Sequence, residues 1–342
     1  MWGLGKKNLG RVTNHKEKAV VKKRWARLLS TALSLALAVA LLLPDIGNVG
    51  KVQAQGTVKE IANVVIFVKF KDDLSDVLNA VNSYPSSSPL YRSNWQEIKK
   101  MYDLDRDSFS NYITAVTEGK VHVTNYFPQE RADGKGVEPL TLPWNKDGGG
   151  DMVEEVMKAV TDGRIPLNLS TCKLDNLQPG VLDNLTIIIQ GNITALGDTA
   201  FHSSQYVSSG NSTFKGLRVK DYIMIPSNRL VSENAVINTS QQQGVIAHEF
   251  LHALGLPDLY RQDSSGEPVG QWDIMASVSS FLQYPLSYLR YRQGWLPAGP
   301  PITQSGTYTL TAVSGTGGDK LFMLKTPLSD TEFICLEYRK KS

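Results

Sequence analysis

The chain has 342 residues, 41% hydrophobic and 20% charged, which suits one or two globular domains and excludes a disordered or fibrous protein. Its net charge of +3 is uneven: residues 1–54 hold ten Lys/Arg against two Asp/Glu, a net of +8, so the remainder carries 3 − 8 = −5. The basic balance therefore belongs to the N-terminus, and no basic patch is left to argue for a nucleic-acid partner.

Nine of those cations lie between Lys6 and Arg27, and the apolar run Leu28 to Leu43 follows them. This is the pattern of a secretory signal peptide. Val52-Gln53-Ala54 is the small-x-small pattern that a signal peptidase reads, so residues 1–54 are expected to be removed and the mature chain to be secreted from Gln55. An uncleaved anchor is the weaker alternative, because the apolar run is shorter than the roughly 20 residues that cross a bilayer. No later stretch reads as a span, so stable membrane insertion is not expected after cleavage. Cys172 and Cys335 are the only cysteines. They could pair in an oxidising compartment or remain two thiols, and they are too few for a cysteine-ligated zinc site.

Ile61 to Phe70 is a short apolar, β-branched run and predicts a buried strand that opens the folded domain. After the Ser/Pro loop Tyr84 to Pro89, helical spacing runs through Trp95, Ile98 and Met101-Tyr102. A second helix is predicted over Phe109 to Thr117, ending at Gly119, and alternation through Val121, Val123 and Tyr126 predicts a strand. His122 falls on its polar face and reads as a solvated histidine. Trp144 to Asp151 lacks the spacing of a phosphate loop and reads as a connection before a helix over Met152 to Val160. Leu185 to Gln190 is the most strand-like stretch, with Tyr222 to Pro226 as its expected neighbour. His202 between them is a candidate for the substrate cleft, although an isolated loop histidine is usually just solvated. The acidic stretches Asp72-Asp73 and Asp103 to Asp107 are where a calcium ion could bind.

Ser240 and Gln243 form a capping box, which predicts a helix from there to about Leu254 with Ile246, Phe250 and Leu254 on its buried side. Along it, His248 and His252 are about 40° apart and one turn apart, so both imidazoles can reach one ion. Glu249 lies about 60° from His252 on the same side, where a carboxylate can take a proton from a water attacking a carbonyl and return one to the leaving amine. Gly255 supplies the left-handed turn that ends the helix and carries Asp258 back toward the metal. His248, His252 and Asp258 are thus the candidate zinc ligands, with an open fourth position as a catalytic site needs. Asp263 and Glu267 compete for the third place, and the turn at Gly255 favours Asp258.

The stretch from His248 to Tyr260, His-Glu-Phe-Leu-His-Ala-Leu-Gly-Leu-Pro-Asp-Leu-Tyr, resembles the extended zinc signature of metzincin peptidases in its aspartate variant, and most of all the immune inhibitor A family of secreted bacterial proteases. Gly270 to Ala276, Gly-Gln-Trp-Asp-Ile-Met-Ala, resembles the Met-turn of metzincins, and Pro285 to Leu296 is similar to a segment that the family carries after it. The resemblance runs from about Ile61 to Ser342 and departs at Leu251, where many relatives have glycine. It implies an α+β, metzincin-like fold with a mixed sheet, an active-site helix and a Met-turn. Met275 is then an apolar floor beneath the imidazoles, and Asp273 fixes the turn rather than touching the metal. Tyr284, Tyr288 and Tyr291 are candidates to steady an oxyanion.

Beyond the Met-turn, Thr307 to Ala312, Leu321 to Leu324 and Phe333 to Tyr338 predict strands. The expected organisation is a signal peptide over 1–54, a catalytic domain over 55–300, and over 301–342 the start of a β-rich segment that continues further in relatives. The expected function is a secreted zinc endopeptidase acting on proteins or peptides. The competing reading is a non-catalytic, zinc-stabilised binding module or adhesin, and Glu249 weighs against it, since a scaffold needs no base beside its ligands.

Overall fold

A computed structural model of the chain describes residues 58–81, 86–88, 93–103, 108–134, 136–146, 148, 150–190, 204–207, 213–231, 239–261, 266–278, 282–329 and 332–340. The predicted signal peptide, His202, Asp263 and residues 104–107 lie outside them.

In chain order the elements are β1 (Lys59–Lys69), α1 (Asn94–Asp103), α2 (Phe109–Val116), β2 (Val121–Tyr126), β3 (Leu140–Thr141), α3 (Met152–Thr161), β4 (Asn184–Ile189), β5 (Ser204–Val207), β6 (Thr213–Phe214), β7 (Leu217–Arg218), β8 (Asp221–Pro226), α4 (Thr239–Ala253), α5 (Ser287–Arg292), β9 (Phe322–Lys325) and β10 (Phe333–Leu336). The main sheet runs β2-β1-β4-β8-β5, with β3 pairing the far end of β1. All pairings are parallel except that of β5, which lies antiparallel to β8. The sheet is therefore mixed, as expected, and Tyr222–Pro226 is the neighbour of Leu185–Gln190 in register Thr186 to Ile223.

Parallel strands are covered on both faces, and β1 shows why its sequence reads as an unbroken apolar run. Ile61, Val65 and Phe67 enter one core with α1, α2 and α4, while Ala62, Val64, Ile66 and Val68 enter the other with α3. The alternation is period two with both faces apolar. The one polar exception is bonded at both ends of its amide: buried Asn63 accepts from Asn184 at 2.7 Å and Thr186 at 2.9 Å and donates to Asn125 at 2.7 Å. That satisfies the groups whose burial would otherwise cost about 1–3 kcal/mol each.

α4 lies on the first face. Ile246, Ala247, Phe250 and Leu251 are buried there, and Phe250 meets Phe109 edge-on at 4.9 Å. Leu251 is fully buried in the same core. Gly244 allows a close approach: a Cβ there would stand 2.7 Å from Val278 Cγ1.

The tail departs from expectation at one place. Thr307 to Ala312 is not a strand; only Ala312 bridges, to Tyr338. Residues 307–309 are exposed and find no neighbouring strand, so alternation alone does not make a ladder there. The other two predicted strands form the antiparallel pair β9-β10. The cysteines are free, Cys172 half-buried and Cys335 exposed on β10. Among the described residues no helix is long and apolar enough to cross a membrane.

Candidate active site

The last turn of α4 sets the geometry. Gly255 has φ of +92°. Leu256 N donates to Leu251 O at 3.0 Å and Gly255 N to His252 O at 2.9 Å, the paired bonds of a left-handed helix terminus. The reversed chain delivers two groups to the histidines: Leu256 O accepts from His252 Nδ1 at 2.8 Å, and Asp258 turns its carboxylate toward both rings. His248 Nδ1 donates to Ile274 O, also at 2.8 Å.

Three atoms then face one another. The two Nε2 atoms are 3.2 Å apart, and Asp258 Oδ1 is 3.2 Å from His248 Nε2 and 3.1 Å from His252 Nε2. Ligand atoms around a tetrahedral zinc at about 2.0–2.1 Å would stand about 3.3–3.4 Å apart, so this triangle matches one face of such a shell. With each Nδ1–H committed to a carbonyl, each Nε2 presents a lone pair, and Asp258 Oδ1 is a buried oxygen with no hydrogen bond of good geometry. Lone pairs gathered in this way need a shared cation or extra protons, and the donor set of two imidazoles and a carboxylate fits zinc. Without metal the protons serve. Burial alone would raise the Asp258 carboxyl, yet bonds and charge from His248 and His252 hold it well below the usual carboxylate range. Burial alone would lower His248, but Asp258, Glu249 and the Ile274 carbonyl raise it above its ordinary value.

Glu249 is buried beside the histidines, and His248, Glu249 and His252 bring donor atoms within 4.8 Å of one another. Among the described residues this is the sole cluster of three or more His, Cys, Asp or Glu side chains suited to an ion. Of the acidic stretches, Asp73 accepts from Ser75, and Asp103, the described end of the second, accepts from Asn125 and Ser110. His122 sits in the open, 3.2 Å from Glu60. Glu267 is exposed on its loop.

Met275 is fully buried in the core below α4, and its carbonyl accepts from Leu259 N at 2.9 Å, which ties the Asp258 loop to the turn. Asp273 holds the turn by accepting from Met275 N at 2.7 Å. Of the tyrosines considered from sequence, Tyr284 packs edge-on against Tyr112 with Arg290 over its ring at 5.2 Å, and Tyr288 packs on Phe333. Tyr291 is half-buried, and Tyr260, which follows Asp258 by two residues, is 44% exposed and stacked parallel to His248 at 6.5 Å. Burial and the charges of Asp258 and Glu249 push its hydroxyl up to about 12, so it remains a neutral donor. Its signal in the sequence was its position two residues past Asp258.

No curated protein matches the chain significantly. Residues 176–283, from before β4 through α4 and the Met275 turn, match the family model described as immune inhibitor A peptidase M6, catalytic domain. That match contains both histidines, Glu249, Asp258 and Met275, so this part of the chain is similar to the catalytic domain of the immune inhibitor A-like peptidases.

Proposed function

We propose that this peptidase is a zinc-dependent endopeptidase that is exported and hydrolyses peptide bonds within proteins, with His248, His252 and Asp258 as the metal ligands and Glu249 as the general base. The observation that carries the reading is the triangle of 3.1–3.2 Å between the two Nε2 atoms and Asp258 Oδ1, with both Nδ1 atoms locked on carbonyls. Those carbonyl bonds fix the tautomer and ring orientation that ligation requires. A bound zinc would supply Lewis acidity toward the peptide carbonyl and the attacking water.

The chain's own residues account for the proton path. Glu249, buried next to the histidines, accepts the proton of the attacking water and passes one to the leaving amine. Tyr260, stacked on His248, keeps its hydroxyl protonated at neutral pH, suited to donate to a carbonyl oxygen as it gains charge. Export rests on the basic and apolar composition of residues 1–54.

Glu249→Gln tests the reading, because it removes the base and leaves all three ligands. Zinc content near wild type with casein hydrolysis reduced at least about 100-fold is expected. Undiminished hydrolysis in that variant, or a wild type that binds zinc and cleaves no protein across a broad panel, would favour the non-catalytic binding module.

A further inference from the structure

Asp273 is fully buried and joins two chain ends: Oδ1 accepts from Met275 N at 2.7 Å and Oδ2 from Leu286 N, just before α5, at 2.6 Å. The same junction is held from the other side by the tail. Arg339 Nη1 donates to the carbonyl of Trp272, which precedes Asp273, and to that of Tyr284 at 3.0 Å. Glu337 receives Arg339 Nε on Oε1 at 2.5 Å and Ser287 N on Oε2 at 2.6 Å. Both side chains are well covered, 10% and 17% exposed, so these charge-assisted bonds are only weakly screened. The residue after Asp273 is Ile274, whose carbonyl fixes His248 Nδ1.

We propose that Arg339 and Glu337 are positioning residues of the active site, holding the Trp272–Asp273 junction so that the Ile274 carbonyl keeps His248 in its ligating tautomer. The C-terminal β segment is thereby part of the peptidase site rather than an appendage to it. The inference rests on the metal-centre reading above. What distinguishes it from a simple tail anchor is the target of the bonds: main-chain groups on both ends of the loop that Asp273 closes, one of them, the Trp272 carbonyl, two residues before the carbonyl bonded to His248. A planar guanidinium can span two carbonyls with fixed geometry, and an ammonium on a flexible stem cannot do so equally well.

The test uses the full chain with Arg339→Ala and Arg339→Lys, and Ile334→Ser, at an exposed position of β10, as a control. Zinc loss to excess chelator and the ring-nitrogen resonances of His248 are measured well below the melting temperature. Faster zinc loss by about 10- to 100-fold in both Arg339 variants is expected, as for other changes to groups that orient a metal ligand. kcat should fall with KM held, and the His248 Nδ1–H signal should weaken, while Ile334→Ser resembles wild type. If Arg339→Ala does not fold, Arg339→Lys decides. Lowered melting temperatures with zinc release and His248 resonances like those of wild type would reduce the pair to an anchor and overturn the proposal. If the wild type takes up no zinc, the metal-centre reading fails. The His248 resonances of the metal-free variants then still judge the clamp.

Discussion

The carbonyl of Leu256 returns to the helix it has just left and accepts from His252 Nδ1 at 2.8 Å, so the reversal at Gly255 orients one imidazole while delivering Asp258 to it. The turn is possible because Gly255 sits at φ +92°, and a Cβ there would also meet Gln293 Nε2 at 3.1 Å. Gly255→Ala is therefore expected to cost about 1–2 kcal/mol in stability and to weaken zinc retention in the same variant. Thermal unfolding and chelator competition check the two effects together. A stable variant with unchanged zinc retention would mean that the turn does not govern the site.

Asp258 closes the triangle, and Glu267 is exposed on its loop. Asp258→Ala should lose most bound zinc, whereas Glu267→Ala should keep a full equivalent, as read by metal analysis of the purified chains. The opposite pattern would replace Asp258 as the third ligand.

Protons and metal compete for the same lone pairs. In metal-free protein His248 is raised and Asp258 lowered. The raised histidine stabilises the fold below its unfolded value of about 6.5 and loses that contribution as pH rises through its folded value. The lowered carboxyl contributes above its unfolded value of about 3.9 and is lost as pH falls through its depressed one. Chelated protein should thus gain most from this cluster between about pH 4 and 6.5. Zinc needs the imidazoles neutral, so the melting-temperature difference between zinc-loaded and chelated protein should widen from about pH 5 to 8. A difference independent of pH over that range would argue against ligation by His248.

Much of this was legible in the sequence because it is local. The spacing of His248, Glu249, His252, Gly255 and Asp258 encodes a helix face and a turn, and the β-branched runs at Leu185 and Tyr222 mark adjacent parallel strands. What was hidden is carried by main-chain atoms or by long separations. The Ile274 and Leu256 carbonyls have no side-chain signature, and Arg339 meets Trp272 across 67 residues. The alternation of Thr307 to Ala312 misled because strand propensity describes one strand while a ladder needs two, and only Ala312 finds a partner.

The tail also enters the core through charge. Glu118, at φ +53°, bonds both Arg290 and, at 2.7 and 2.9 Å, Lys320 Nζ. Arg290 is fully buried and also donates to Val116 O at 2.7 Å and Val313 O at 3.1 Å, while Lys320 is 5% exposed. One carboxylate thus balances two buried cations, and burial pulls Arg290 below its ordinary value against the opposing effect of Glu118. Removing that carboxylate leaves both cations uncompensated, and breaking a buried pair from one side costs about 3–5 kcal/mol. Glu118→Gln should therefore fall at this end of the range. Lys320→Met should cost clearly less, because it leaves a neutral Glu118–Arg290 pair and a stem of similar volume. Denaturant unfolding of the two variants decides, and equal losses would mean that packing rather than charge fixes the tail at this point.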